Sequence, residues 1–462
     1  MYSKKAHIHF VGIGGIGMSG IAQILRHQGY TISGCDIDTN KQCIHDLIAT
    51  GCSVYKGNNT SHCYDTTIDI VVYSTAIQKD NPEIIAAQKR GIPTIRRALM
   101  LAELMRTKYS IAITGAHGKT TTTSLISHIL IEAGLDPTVI IGGHLENISA
   151  NARFGGGDFL VAEADESDRS LLHLHATLAL ITNIDLEHLE TYTDIEDIKN
   201  TFRQFLHAIP FYGKAFLCMD NEHIRALLPI EHIKIVTYAL HHDADYTARS
   251  LALDNNMSSF DVYQTKNNHF LGSIHFCMLG EHNVSNCLGA IAIALDLGIS
   301  LSTIQRALTT FKGVDRRFCY RGLYKNAELF DDYGHHPEEI RKTLIVAQRR
   351  AHNKLTVLFQ PHRYTRTYHL WNHFIDTFVN STIDHLIITD IYAASESPIE
   401  SVTSQRLVQA IRDRNPAFTV TYVPFDDDFN AIKKQLDDTI KPDDLILLQG
   451  AGKINALTQK LR

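Results

Sequence analysis

The chain has 462 residues, 44% hydrophobic and 20% charged, with 44 Lys and Arg against 50 Asp and Glu for a net charge of −6. That balance gives no general attraction to nucleic acid or to an anionic membrane surface, and the length suits two to four domains of roughly 100–200 residues. No apolar run approaches the roughly 20 residues of a bilayer span, no secretory signal opens the sequence, and the eight cysteines form no Cys-x-x-Cys pair, so reduced thiols in a cytoplasmic protein are expected.

Short apolar, β-branched runs recur, each followed by a turn and a helix-length stretch, the pattern of parallel strands with crossover helices. The first series covers 7–11, 30–35, 68–74 and 92–95. In it, Gly12-Ile13-Gly14-Gly15-Ile16-Gly17 leaves a strand and opens a helix, and Asp36 ends the second strand. Glycines there let the backbone approach a diphosphate held at a helix N-terminus. With Asp36 as an acidic ribose ligand the pattern fits a dinucleotide fingerprint. A nicotinamide cofactor, another nucleotide diphosphate and a bare strand-to-helix turn all satisfy it.

A second series runs through 110–114, 138–141, 159–162, 178–182 and 215–219. Its first strand delivers Gly115-Ala116-His117-Gly118-Lys119-Thr120-Thr121 into a helix spanning 122–132. Backbone N–H groups of such a loop cradle phosphates, the lysine spreads charge over the β- and γ-phosphates, and the Thr120 hydroxyl can ligate Mg²⁺. Residue 113 is Ile where the full motif has Gly, so this is a short variant, and ATP binding is the expectation. Glu163-Ala164-Asp165-Glu166-Ser167-Asp168 then stands at a strand's C-terminal end, where open parallel sheets place ligands. Four carboxylates in six residues repel one another unless a cation is present, which points to Mg²⁺. The next strand ends in Asn183-Ile184-Asp185-Leu186-Glu187-His188, adding acids and a histidine at the same edge.

Between 234 and 278 shorter alternating segments, including 260–264 and 271–276, suggest an antiparallel patch, and a long helix follows at about 285–297. His282, Asn283 and Asn286 introduce that helix. Their side chains suit either helix capping or contact with an adenine. The third series is 355–359, 385–391, 419–423 and 445–448, with dense polar groups at its strand ends: Asp331-Asp332-Tyr333-Gly334-His335-His336, His362-Arg363-Tyr364-Thr365-Arg366 and Gly450-Ala451-Gly452-Lys453. Arginines so placed suit bidentate capture of a carboxylate or phosphate. Arg316 and Arg317 at the preceding joint strengthen the expectation of an anionic substrate and a phosphorylated intermediate. The expected fold class is therefore α/β, three tandem α/β domains with short joints near 104–108 and 313–317.

The runs GIGGIGMSG, TGAHGKTTT, EADESD, TNIDLEH, GEHNVSN, GVDRRF, DDYGHHPEE and FQPHRYTRT, in this order between residue 7 and about residue 452, resemble the Mur ligases of bacterial cell-wall synthesis. The resemblance implies a Rossmann-like domain for a UDP-sugar over 1–106, a P-loop ATPase-like domain over 107–313 and a Rossmann-like domain over 314–462 that takes the amino acid. The implied reaction is ATP-dependent ligation of L-alanine to the lactyl carboxylate of UDP-N-acetylmuramate through an acyl phosphate, with Mg²⁺. By motif, Gly14, Gly15, Gly17, Met18 and Ser19 would cradle the uridine diphosphate, and Gly115, Ala116, His117, Gly118, Lys119, Thr120 and Thr121 the ATP phosphates. Thr120, Glu163 and His188 would hold Mg²⁺. His282, Asn283 and Asn286 would contact the adenine, with Arg317 and Asp332 completing the nucleotide site. Tyr333, His335, His362, Arg363 and Arg366 would position the amino acid and the sugar's carboxylate. The catalytic set implied is Lys119, His188, His335, Arg363 and Arg366. The partners implied are these small molecules, with no nucleic acid and no membrane insertion, in a cytoplasmic monomer or homodimer.

Several positions depart from the family's usual pattern. Ala116 stands for Thr, Ala394-Ser395-Glu396-Ser397 for Ala-Gly-Glu-Ala, Lys453 for an acidic or amide residue, and Glu338 for Thr. None removes a phosphate, metal or carboxylate ligand. The rival activity is the sister ligation of a recycled murein tripeptide to the same sugar nucleotide, whose glycine turn typically differs from GIGGIGMSG. An NAD-binding redox protein and an inactive ligase-like binding module are further alternatives, and the intact Gly-Lys-Thr, Glu163 and His188 oppose the last.

Overall fold

The computed structural model describes every residue except 1–4, 58–61, 63–64, 66, 75, 79, 146–149, 189–190, 255–256, 395 and 462. Ser395, one of the departures named above, lies outside the described residues. Among the described residues the strands form three sheets.

The first sheet has β1 (His7–Val11), β2 (Thr31–Asp36), β3 (Ser53–Lys56), β4 (Ile70–Tyr73) and β5 (Thr94–Arg96) in the order β3-β2-β1-β4-β5. All its pairings are parallel. Helices α1 (Ile16–His27), α2 (Gln42–Ala49), α3 (Pro82–Lys89) and α4 (Arg97–Met105) connect or follow its strands. The order reverses at β1, and at such a switch point the strand ends open a crevice for ligand.

The second sheet is built from β6 (Tyr109–Thr114), β7 (Thr138–Leu145), β8 (Ala150–Arg153), β9 (Phe159–Glu163), β10 (Leu178–Ile181), β11 (Lys214–Cys218), β12 (Lys234–Ala239), β13 (Tyr246–Leu253), β14 (Ser258–Gln264) and β15 (His269–Phe276). Their order is β15-β14-β13-β12-β11-β10-β6-β9-β7-β8. Strand β10 is buried along its length and reads as an unbroken apolar run, and β6 is buried from Ser110 onward, as parallel strands covered by helices must be. Its helices include α5 (Lys119–Glu132), α6 (Ile195–His207), α7 (Glu222–Arg225), α8 (Glu281–Asp296) and α9 (Leu301–Thr310). The expected antiparallel patch is smaller than its sequence span. Strand β12 pairs in parallel with β11 and β13, and β14 with β15 is antiparallel, all within the one sheet. Helix α8 begins at Glu281, several residues before the expected start, so His282, Asn283 and Asn286 lie inside its first turns rather than ahead of it.

The third sheet comprises β16 (Cys319–Tyr324), β17 (Ala327–Asp332), β18 (Leu355–Phe359), β19 (His385–Ile388), β20 (Val420–Tyr422) and β21 (Leu445–Gln449), ordered β16-β17-β21-β18-β19-β20. Only the β16–β17 hairpin is antiparallel. Strands β18 and β21 are wholly buried, between one apolar layer around Phe359, Phe374 and Leu407 and another around Phe429, Leu436 and Leu448. Helix α10 (Pro337–Arg350) follows β17 with Pro at its first position and a capping box from His336 and Glu339. Helix α11 (Tyr364–His369) follows β18.

The chain divides into two compact units. One is Met1–Ala252, Ser258–Cys277 and Asn283–Lys312; the other is Leu253–Met257, Met278–His282 and Gly313–Arg462. The first unit therefore holds the first two sheets together. No described helix is long and apolar enough to cross a membrane, and the seven described cysteines are all free thiols.

Candidate active site

The first glycine turn joins β1 to α1. Gly12, at φ +77°, turns the chain so that Gly12 N and Ile13 N donate to Cys35 O at 2.8 and 3.0 Å. A Cβ on Gly14 would stand 2.8 Å from Ile44 Cδ1 and 2.9 Å from Asp36 Oδ2, so a side chain there would push Ile44 and Asp36 aside. Helix α1 opens at Gly15 with no side-chain cap and no acid in its first turn, leaving its N–H end suited to an anion. Met18 and Ser19 are buried, and their N–H groups donate to Gly15 O at 3.0 and 2.9 Å. Asp36 is committed elsewhere: it accepts from Gly14 N at 2.9 Å, Asp38 N at 3.0 Å and Lys41 Nζ at 3.1 Å. The residue matched to a ribose ligand thus locks the turn in place.

The second glycine loop leaves β6, an interior strand between β10 and β9. Gly115 has φ +130°, and a Cβ there would collide with Thr182 Oγ1. Gly118 has φ +83°, and a Cβ there would meet Asn286 Oδ1 at 2.6 Å, which sets Asn286 against the loop. The loop is pinned to the end of β10. Ala116 N donates to Asn183 O at 3.1 Å and His117 N to Asn183 Oδ1 at 2.8 Å, while Thr182 Oγ1 and Asn183 Nδ2 donate to His117 O at 2.6 and 2.9 Å. Thr182 and Asn183 were not expected to shape the site. The sequence signal for them is their position at the end of a buried strand beside the loop.

Lys119 opens α5. Its ammonium donates to Gly115 O at 2.6 Å, Ala116 O at 3.0 Å and Glu166 Oε1 at 2.8 Å. Burial alone would lower its pKa, but Glu166, Glu163 and Asp165 outweigh that and raise it above the ordinary lysine value. A permanently charged ammonium at a phosphate-type loop is the result. Next to it, Thr120 Oγ1 donates to Glu163 Oε2 at 3.0 Å, and Thr121 is buried. Asp165 is opposed by burial but held below the usual carboxylate range by Lys119 and the Ser167 hydrogen bonds, with a smaller part from Arg97.

His188 sits in a left-handed conformation at φ +55°, which aims its ring back at the acids: Nε2 lies 3.5 Å from Glu166 Oε1 and 3.5 Å from Glu187 Oε2. The ligand atoms of Glu166, Glu187 and His188 all lie within 4.8 Å of one another. The structure thus brings Thr120 and Glu163 together, and separately His188 with Glu166 and Glu187. Glu166 and Glu187 were inside the acidic runs but had no assigned role. His117 Nε2 faces the same acids, 3.4 Å from Asp185 Oδ2 and 3.6 Å from Glu187 Oε1. A hydroxyl, several carboxylates and imidazole nitrogens form a hard, oxygen-rich donor set that suits Mg²⁺.

In the second unit the polar groups gather at the ends of β17, β18 and β21. His335 Nδ1 is 3.1 Å from Tyr333 O, and the His335 ring lies 5.3 Å from the Tyr333 ring and 5.5 Å from that of His362. Arg366 Nη1 lies 3.1 Å from His362 Nδ1. Arg363, at φ +70°, donates its N–H to Tyr392 O and sits 3.7 Å from Glu396. Burial first, then the charges of His335, Arg366, Arg363 and Arg316, hold His362 down at about 3, so near neutral pH it is uncharged. His282 is likewise held at about 3, by burial and then by Lys342 and Arg317.

Asp332 is saturated from within its own unit: Phe318 N (2.9 Å), Gly334 N (2.8 Å), Thr343 Oγ1 (3.1 Å) and Gln449 Nε2 (2.8 Å) all donate to it. Arg317 lies 3.7 Å from Glu339 and 5.5 Å from the Tyr333 ring centre. Arg316, also left-handed at φ +59°, stacks on Tyr333 at 4.7 Å and donates to Gly450 O at 2.7 Å, joining three loops. Of the departures from the family pattern, Lys453 pairs with Asp427 at 2.8 Å on the surface and Glu338 pairs with Arg341.

Three family models match the chain: the Mur ligase family catalytic domain over 7–109, the Mur ligase middle domain over 113–294, and the Mur ligase glutamate ligase domain over 316–452. Curated relatives named UDP-N-acetylmuramate–L-alanine ligase are similar along the whole length. That of Syntrophus aciditrophicus is 46% identical, over 99% of this chain and 93% of its own, and that of Geotalea uraniireducens is 46% identical, over 100% and 99%. Among solved structures, a UDP-N-acetylmuramate–alanine ligase from Thermotoga maritima superposes with a TM-score of 0.81 at 26% identity, covering 98% of both chains. A murein peptide ligase from Psychrobacter arcticus shares the fold, with a TM-score of 0.73 at 24% identity over 99% and 98%. With three family models in order along its length and full-length relatives at 46% identity, the chain belongs to the Mur ligase family.

Proposed function

We propose that this protein joins L-alanine to the lactyl carboxylate of UDP-N-acetylmuramate with cleavage of ATP to ADP and phosphate, in the cytoplasmic synthesis of peptidoglycan precursor. The observation that carries the reading is the full-length 46% identity to ligases of that name, and the charged Lys119 held on its glycine loop supplies the local chemistry. The functional division assigns the sugar nucleotide to 1–106, ATP to 107–313, and the amino acid to 314–462.

A carboxylate is a poor electrophile because its leaving group would be oxide. Transfer of the γ-phosphoryl group gives an acyl phosphate, which the amine of L-alanine attacks with loss of phosphate. No covalent nucleophile from the protein is needed; positioning and charge stabilisation do the work. Lys119 lies against the γ-phosphate and balances its charge, exchanging Glu166 for the phosphoryl oxygens. The backbone of Gly115, Ala116, His117 and Gly118 cradles the phosphates, with Thr182 and Asn183 holding the loop's shape. Asn286, set against Gly118, faces the nucleotide. Thr120 and Glu163, with His188 and its neighbours Glu166 and Glu187, are the residues that would hold Mg²⁺. When bound, that ion draws charge from the phosphate oxygens. Arg363 and Arg366 capture the substrate carboxylates. Neutral His362 orients Arg366 by accepting from it, and His335 is braced by Tyr333.

The test is phosphate release from ATP and Mg²⁺ with UDP-N-acetylmuramate, comparing L-alanine, the murein tripeptide and no acceptor. Phosphate that requires L-alanine is expected. Release with the tripeptide alone moves the protein to the sister activity, and no release with any acceptor removes the ligase reading.

A further inference from the structure

A single arginine touches both substrate loops of the first unit. Arg97 is the first residue of α4, following β5. A Cβ on Gly17, the last glycine of the first turn, would stand 2.9 Å from Arg97 Nη1 and 3.3 Å from its Cδ. The Arg97 side chain therefore lies against the turn, in space that a side chain at position 17 would enter. On its other side Arg97 Nη2 is 3.9 Å from Asp165 Oδ2, in the acidic loop after β9. That loop also carries Glu166, whose carboxylate holds Lys119 at 2.8 Å.

The environment of Arg97 lacks what a purely structural arginine has. Its side chain is 24% exposed, and among the described residues no hydrogen bond within 3.5 Å reaches it; the contact with Asp165 is an ion pair at the outer limit of range. Arg96 and Arg97 stand together at the start of α4, which has no acid in its first turn and no side-chain cap. Two cations at the positive end of a helix dipole are unfavourable without an anion nearby. Arginine's planar fork matches two phosphate oxygens at once.

We propose that Arg97 binds the diphosphate of the sugar nucleotide at the Gly17 face of the first turn, and through Asp165 couples occupancy of that turn to the acidic loop beside Lys119. This rests on the sugar-nucleotide reading of the first turn. Drawing the guanidinium onto the diphosphate changes the field at Asp165, and so the competition between carboxylates and phosphate for Lys119. ATP and sugar nucleotide then alter one another's affinity by one common factor, as linkage requires.

The experiment is calorimetric titration of the full chain with UDP-N-acetylmuramate, UDP and uridine, each with and without a non-hydrolysable ATP analogue and Mg²⁺. Wild type, Arg97→Ala, Arg97→Lys and Asp165→Asn are compared. Arg97→Ala is expected to weaken UDP-N-acetylmuramate and UDP by roughly tenfold to a hundredfold, the range of one lost charge-assisted contact, and to leave uridine unchanged. Arg97→Lys should recover part of the loss. Asp165→Asn should keep the sugar-nucleotide affinity and abolish the effect of the ATP analogue on it. Equal binding of UDP by wild type and Arg97→Ala overturns the binding role. A loss that extends equally to uridine marks a structural role and also overturns it. A coupling factor that survives Asp165→Asn overturns the link. Failure of wild type to bind any uridine nucleotide removes the first-turn reading itself, which is a different result from a normal wild type with an indifferent Arg97 variant. If Arg97→Ala does not fold, the uridine-to-UDP affinity ratio of Arg97→Lys decides the question alone.

Discussion

The two glycine turns of the first unit solve one physical problem with different parts. Each leaves a parallel strand, turns on glycine at positive φ (Gly12 in one, Gly115 and Gly118 in the other), and opens a helix whose N-terminal end suits an anion. The Gly115–Gly118 loop contains its own cation, and Lys119 is surrounded by three carboxylates that keep it charged. The Gly12–Gly17 turn contains no cation; its nearest is Arg97, brought in by the start of α4. The stiffening differs too. Asn183, from a neighbouring strand end, pins the Gly115–Gly118 loop through main chain and side chain, whereas a carboxylate, Asp36, pins the Gly12–Gly17 turn through Gly14 N. A loop that handles the transferred phosphoryl group needs charge that is fixed in sequence with the backbone cradle. A loop that only holds a diphosphate needs shape first.

The comparison breaks most sharply at Lys119. Replacing it with Ala should cut turnover by about a thousandfold or more, since the ammonium that balances the transferred phosphoryl charge is gone. UDP-N-acetylmuramate binding, followed by calorimetry without ATP, should survive; its loss as well would mean that Lys119 shapes the first turn itself. Gly115→Ala comes next. With Thr182 Oγ1 and Asn183 O in the way, the loop must move, and ATP-analogue affinity should fall by roughly a hundredfold with a thermal midpoint lower by several degrees. Asp36→Asn should be milder. One of its oxygens becomes an NH₂ that cannot accept, so either Gly14 N or Lys41 loses its partner, and sugar-nucleotide affinity should drop about tenfold while ATP-analogue affinity holds. An equal drop for both ligands would erase the distinction between the turns.

The smallest effect is on pH. His282 and His362 are both held at about 3 by burial, well under the ordinary histidine value. Below about 6.5 the unfolded chain takes up protons that the folded chain refuses, so the stabilisation present above that pH is lost progressively as pH falls toward 3. The thermal midpoint should decline by a few degrees between pH 7 and pH 5, and His362→Asn should flatten part of that slope. A midpoint that rises on acidification would contradict the burial of these rings.

Much of the site was legible as spacing. A buried strand followed by Gly-x-x-Gly-Lys-Thr-Thr leaves the backbone few choices at the two glycines, which take positive φ; the helix expected over 122–132 begins three residues earlier, at Lys119. The acidic run after β9 was equally plain as a cluster of negative charge, and Lys119, Arg97 and His188 stand against it. Less legible was which acid meets which base. Glu166 and Asp165 are adjacent in the chain, yet one reaches Lys119 and His188 while the other faces Arg97. Only folding reveals what stands beside each. Asp36 and Asp332 illustrate the same limit: both carried ligand assignments by motif, and both carboxylates are engaged in bracing loops.

By itself the sequence determined the class of the fold and the family, because apolar periodicity and glycine placement are local properties that survive reading one residue at a time. It also determined the shape of the Gly115–Gly118 loop, whose parts are consecutive. The tertiary structure alone decided the partners of each charge. Arg97 and Asp165, or Arg316 and Gly450, are separated by tens to more than a hundred positions, and an electrostatic contact depends on distance in space, which no spacing along the chain encodes.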